Sequence, residues 1–288
     1  MMRKILKYGA AVALPGLLLF SCGERDAAPT SEVVAARVSH VTEDPTDAAW
    51  KNVPAFRADL ILQDLVEPRL LVPSTASVEV RAMTDGSWIA FRLAWSDSTA
   101  DDLPGSARFS DACAVQFPAA TGPDLPAPQM GEADRAVEIA YWRASWQASV
   151  NGRPDEIRSL YPNAHPDHYP FEATSLAPGS EVAREAELRY APARALENPM
   201  EGPRERAVED LVADGPGTLR SAAEKRATGS GVRTEIGWAV VIARPAPAGF
   251  ADRGRGTIAF AVWDGARDET GSRKMRTGWV SLVLRETP

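Results

Sequence analysis

Ser77-Val78-Glu79-Val80-Arg81-Ala82-Met83-Thr84-Asp85-Gly86-Ser87-Trp88-Ile89-Ala90-Phe91-Arg92-Leu93-Ala94-Trp95 reads as two strands joined by a tight turn. Asp-Gly at the turn suits a backbone that must reverse within a few residues. After it, Ile89, Phe91, Leu93 and Trp95 share one face, and Trp88, Ala90, Arg92 and Ala94 share the other. That two-residue period belongs to a strand, not a helix. Outward from this hairpin, Ala112–Phe117, Ala136–Trp146, Ile236–Ala243, Thr257–Trp263 and Trp279–Leu284 are further candidates. The count predicts an all-β protein, an antiparallel sandwich of seven strands in two packed sheets.

The strand signal stops for a long segment. Residues from about 151 to 231 carry Pro154, Pro162, Pro166, Pro170 and Pro178, then helix candidates at Glu181–Arg189 and Arg204–Ala213, with Gly215 as a stop. A structureless loop of that length is improbable in a compact domain. The expectation is a partly helical insertion wrapped around the sandwich.

The N-terminus reads as an address. Arg3, Lys4 and Lys7 precede an apolar run from Tyr8 to Phe20, too short for a membrane span but right for a signal segment. Leu19-Phe20-Ser21-Cys22 resembles a bacterial lipobox. The expected organisation is a signal peptide over 1–21, a tether over 22–37 with lipid on Cys22, and a domain over 38–288. Such a chain is anchored to the periplasmic side of a bacterial membrane without a spanning helix.

Composition narrows the chemistry. A formal charge of −7 disfavours nucleic acid, which needs a cationic face. Two cysteines exclude a four-cysteine zinc or iron–sulfur site. Cys113 reads as a small buried hydrophobe. No Gly-x-Ser-x-Gly, P-loop or His-Glu-x-x-His pattern is present. His165, Asp167 and His168 invite a zinc reading but lack further ligands, and a solvated proline-rich loop is the expectation. Glu209, Asp210 and Asp214 read as a solvated helix face and its end.

Several segments in order resemble a known family: Asp44-Pro45-Thr46-Asp47 with Ala49-Trp50, Asp85–Asp97, Asp111–Pro118, Gln129-Met130-Gly131, Tyr141–Gln147, Gly215–Leu219, Gly237–Val241 and Phe260–Gly265. The order is similar to the haem-b-binding gamma subunits of the ethylbenzene dehydrogenase and dimethylsulfide dehydrogenase family, from about Val38 to Leu284. The resemblance implies an immunoglobulin-like or carbohydrate-binding-module-like β-sandwich. It also implies haem b and a role in single-electron transfer with no substrate chemistry. The implied partners are redox enzyme subunits, with molybdopterin and iron–sulfur centres, or c-type cytochromes.

In that family a methionine thioether and a lysine amine hold the iron. The positions that match are Met130, before Gly131, and Lys274, in an Arg-Lys pair before the last strand. Met275 is a competing donor, and Lys225 is the fallback amine. The lipobox departs from what a soluble periplasmic subunit would carry. After residue 21 the lysines are Lys51, Lys225 and Lys274 alone. Arginine does not deprotonate and cannot replace them. A lysine with an ordinary pKa would need ~4–5 kcal/mol to be neutral at pH 7. The rival reading is a carbohydrate-binding surface lipoprotein without haem, using Trp88, Trp142 and Trp146 as a sugar platform. A third is a structural lipoprotein subunit.

Overall fold

The computed structural model describes residues 30–285, apart from 121, 123, 155, 166–176, 178, 197, 199–201 and 203. Among the described residues fourteen strands form, against the seven expected, several of the added ones only two to five residues long: β1 Val33–Arg37, β2 Phe56–Asp59, β3 Ile61–Leu62, β4 Ser77–Thr84, β5 Trp88–Ser96, β6 Ala112–Pro118 and β7 Val137–Arg143, then β8 Val208–Ala213, β9 Arg220–Ser221, β10 Thr228–Arg233, β11 Gly237–Pro245, β12 Arg255–Trp263, β13 Met275–Arg276 and β14 Val280–Arg285. The main hydrogen-bonded order is β10-β11-β5-β4-β1-β14-β12-β6-β7-β8-β9.

Strand β12 joins the two halves of this path. Its first part, Arg255–Ile258, pairs with β14. Its second part, Ala259–Trp263, pairs with β6. One strand thus serves both layers, and the halves face each other across the main core. Phe91 of β5 meets Phe117 of β6 and Phe260 of β12, with ring centroids 5.7 and 6.5 Å apart. Trp142 of β7 is fully buried and lies 6.4 Å from Trp95 and 5.2 Å from Trp238. The all-β, sandwich-like expectation is met, and the hairpin at Asp85-Gly86 forms as read, with Gly86 at φ +99°. Cys113 is buried and free.

Four details differ from the sequence reading. Val33–Arg37, read as part of the 22–37 tether, form strand β1. Val33, Val34 and Ala35 are buried in β1, which lies between β4 and β14 and pairs in parallel with both. Parallel insertion of one strand makes the sheet mixed. The strand expected through Trp146 ends at Arg143. There a helix, Ala144–Val150, begins, with its first N–H groups held by the Asp111 carbonyl and the Ser110 hydroxyl.

The third difference is the helix expected over Arg204–Ala213, which is strand β8, paired antiparallel with β7. Helix-favouring residues lose here to the ladder and to a specific use of the acids. Glu209 is 4% exposed and bonds Arg204, Ser221 and Lys225. Asp210 accepts the N–H groups of Arg226 and Ala227. These acids are therefore not a solvated helix face. Fourth, strands β8 and β9 fall inside the segment expected to lack them, and β10 begins there. The helix expected at Glu181–Arg189 forms as Glu181–Tyr190, capped by the Ser180 hydroxyl.

Gly231 of β10 illustrates how closely the layers approach. Its N–H donates to Gln147 Oε1, and a Cβ there would run into the Trp142 indole. Gly231→Ala is expected to destabilise the fold by about 1–3 kcal/mol through overpacking, readable as a lowered urea midpoint with unchanged m-value.

Candidate functional site

The second layer is apolar on both faces, and its outer face carries the cavity. Along β6, Cys113, Val115 and Phe117 point into the main core, while Ala114 and Gln116 point outward. On β7 the outward residues are Ile139, Tyr141 and Arg143; on β12 they are Ala259, Ala261 and Trp263. Register sets Ala261 beside Ala114 and Ala114 beside Tyr141. Side chains alternate along strands, so Ala114 of β6 with Ala259 and Ala261 of β12 make a low floor, and Tyr141, on the same rung as Ala114, rises at its edge. A cavity of about 420 Å³ stands over this floor.

Two loops bring Met130 and Lys274 into the wall of this one cavity. Met130 has φ +72°, a left-handed conformation that costs a non-glycine residue roughly 1–3 kcal/mol. The surroundings fix it. Gly131 N–H donates to the Ala127 carbonyl and Gly215 N–H to the Met130 carbonyl, both at 2.9 Å. Gln116 donates to the Pro128 carbonyl and the Trp279 indole N–H to the Pro126 carbonyl. These bonds hold the backbone of the loop, and the Met130 side chain itself packs against the cluster of Ala114, Ile139 and Leu211.

Lys274 is half-buried. Its carbonyl accepts from Gln63 N–H, which anchors the backbone. Its Nζ lies 5.0 Å from the centroid of the Trp263 ring, and Trp263 in turn meets Tyr141 edge-on at 5.2 Å. Among the described residues no carboxylate forms an ion pair with Lys274. Burial, followed by the positive charge of Arg276, lowers its pKa to about 8. Burial likewise lifts the Tyr141 hydroxyl to about 12, so it remains neutral.

The cavity is cationic in an acidic protein: Arg143, Lys274 and Arg276 line it against Glu67 alone. Arg276 is 5% exposed, and its Nε has no hydrogen-bond partner. Apolar floor, soft sulfur, unpaired amine and buried guanidinium together suit a flat apolar ligand that carries carboxylates.

The other candidates are placed elsewhere. Met275 is 2% exposed in the main core and does not line the cavity. Lys225 is half-exposed and pairs with Glu209 at 3.1 Å, away from the cavity lining. His165 is exposed, and Asp167 and His168 lie outside the described residues, as does Cys22. Trp142 and Trp146 are buried and Trp88 is half-buried, so these three form no exposed sugar platform. Arg143, Arg276 and the alanine floor were not singled out from the sequence. The alternation of alanines at Ala112 and Ala114, and at Ala259 and Ala261, was the available signal.

The displaced pKa of Lys274 carries a prediction for the ligand-free protein. Its folded value lies below the 10.5 of the free group. Below about pH 8 both states hold the proton and the folded chain bears the full penalty. Between about 8 and 10.5 the unfolded chain holds more protons, so stability rises with pH. Lys274→Leu is expected to stabilise the ligand-free protein by about 1–3 kcal/mol at pH 7. Chemical denaturation at pH 7 and pH 10 checks this: the gain must shrink at the higher pH.

Residues 47–275 match the model of the family described as ethylbenzene dehydrogenase, a span that includes Met130 and Lys274. A protein named as a respiratory nitrate reductase heme subunit, ORF7, from Haloferax mediterranei is 23% identical over 244 residues, 82% of this chain and 66% of that one. The chlorate reductase subunit gamma of Ideonella dechloratans is 25% identical over 243 residues, 81% of this chain and 75% of that one.

Proposed function

The chain belongs to the ethylbenzene dehydrogenase family, and from that premise we propose that it is a b-type cytochrome subunit that passes single electrons and transforms no substrate. The observation that carries this reading is the convergence of Met130 and Lys274, distant in sequence, on one apolar cavity. The residues fit the group: a thioether on a hydrogen-bonded loop, an amine that pairs with no carboxylate among the described residues, and a buried guanidinium nitrogen without a hydrogen-bond partner. Haem, when bound, supplies one-electron iron redox chemistry.

Met130 and Lys274 are the proposed iron ligands. Lys274 must present a neutral nitrogen. Burial has already done most of that work. From a pKa of about 8, deprotonation at pH 7 requires only about 1–2 kcal/mol, against the ~4–5 kcal/mol of an unperturbed lysine. Met130 would offer a soft sulfur, a donor type that favours ferrous iron and raises the potential. The alanine floor excludes water from one side, and Trp263 and Tyr141 close part of the wall. Arg143 and Arg276 are suited to pair with propionates.

The relatives' names support partnership with a respiratory reductase. The proposed partners are the molybdopterin and iron–sulfur subunits of such an enzyme on one side and c-type cytochromes on the other. The motif ending at Cys22, with its basic and apolar approach, supports a lipid anchor on the periplasmic face of a bacterial membrane. Labelled palmitate should enter the wild type and not Cys22→Ser.

Carbon monoxide tests the electron-transfer role. If Met130 and Lys274 both hold the iron, the reduced haem-loaded protein would be expected to ignore carbon monoxide yet hand electrons to oxidised cytochrome c. Rapid carbon monoxide binding together with failure to reduce cytochrome c would overturn the reading.

A further inference from the structure

Three aspartates meet at the end of the sandwich beside the cavity. Asp97 follows β5, Asp111 precedes the ladder of β6 and Asp264 follows β12. One carboxylate oxygen from each lies within 4.8 Å of the others. Asp97 is 8% exposed and Asp111 wholly buried. Asp111 is partly occupied: Oδ2 accepts from Asp101 N–H and the Trp238 indole N–H, while Oδ1 accepts from Gly265 N–H alone and keeps a lone pair to offer, all at 2.8–2.9 Å.

Its neighbours are not satisfied. Asp97 Oδ1 accepts from Thr99, but Asp97 Oδ2 is buried without a partner, and so are Asp264 Oδ1 and Asp101 Oδ2. Three orphaned carboxylate oxygens in one buried place are far from the usual rule that such groups are paired. The charge of Arg267 acts on Asp264, but it forms no ion pair with it. Arg233 approaches Asp97 but donates to its carbonyl, and among the described residues no ion pair joins a base to Asp97, Asp111 or Asp264. Burial and mutual repulsion push Asp111 up to about 7 and raise Asp264.

We propose that Asp97, Asp111 and Asp264, with Asp101 beside them, form a binding site for a hard divalent cation, calcium by preference. An oxygen-only donor set excludes soft metals, and calcium accepts irregular coordination by carboxylates and backbone carbonyls. The cation would clamp three strand ends. Asp264 directly follows Trp263, the ring that faces Lys274, so the clamp also steadies a cavity wall. The site rests on carboxylate geometry alone and stands whether or not the cavity holds haem.

The test uses the full chain, stripped with chelator. Added calcium should raise the thermal midpoint. Terbium should give tryptophan-sensitised emission, since the Trp238 indole touches Asp111, and calcium should quench it by competition. Asp97→Asn and the half-buried Asp264→Asn should each weaken calcium binding at least tenfold. Both should be as stable as wild type in chelator, because removing a buried like charge offsets the lost ligand. The wild-type measurements need no variant to fold. A stripped wild-type chain that neither shifts its midpoint with calcium nor sensitises terbium overturns the proposal. So does calcium binding that survives Asp97→Asn and Asp264→Asn together.

Discussion

The Met130→Gly, Lys274→Leu double variant is expected to emerge folded, more stable than wild type without haem, and colourless. Each change removes a proposed iron donor and also a local penalty. Glycine adopts φ +72° without the strain Met130 bears, a relief of about 1 kcal/mol. Leucine removes a half-buried amine that pairs with no carboxylate among the described residues. Stability and ligand binding should therefore move in opposite directions, the pattern of a site held at a cost to the fold. The apolar floor remains, so residual haem adheres non-specifically, at least 100-fold more weakly than in wild type. Met130→His should keep haem and lower its midpoint potential on the order of 0.1 V, within the span axial ligands command. Haem titration, spectroelectrochemistry and denaturation of the same preparations check all three effects. A destabilised apoprotein would mean that Met130 and Lys274 serve the fold.

Trp142→Ala should be the most damaging single substitution in the core. The side chain is wholly buried between Trp95 and Trp238, and its Nε1 donates to Gln147 Oε1 at 3.1 Å. Phe or Trp truncation at such positions costs about 3–5 kcal/mol, a large share of the roughly 5–15 kcal/mol that holds a domain together. The thermal midpoint is expected to fall by about 10 °C or more. Trp142→Phe, which keeps most of the volume, should cost far less. Calorimetry of the two variants decides the matter. The same pair separates core from sugar platform: a surface tryptophan would be replaced by alanine with almost no change in stability.

The sequence declared its strands wherever one face is buried and the period of two is uninterrupted. The Asp85–Trp95 hairpin, β6, β11 and β12 are of that kind. Val33–Arg37 escaped notice because five residues of mixed character next to a polar segment carry little local signal. Only pairing with β4 and β14 makes them a strand. Arg204–Ala213 was misread because its charges favour a helix locally, whereas Glu209 and Asp210 are spent on tertiary bonds. Met130 and Lys274 were legible only through the ordered resemblance, since nothing in spacing links two loops so far apart. Asp97, Asp111 and Asp264 looked like ordinary strand-end residues, and their meeting depends on how β5, β6 and β12 converge.

Absorption spectroscopy of the full chain, purified from a host supplied with haem, bears most directly on the cavity between Met130 and Lys274. The expected preparation is red, with a Soret band, a reduced α-band at the b-type position and one acid-extractable haem per chain. A folded, colourless protein that takes up no haem on titration would contradict it.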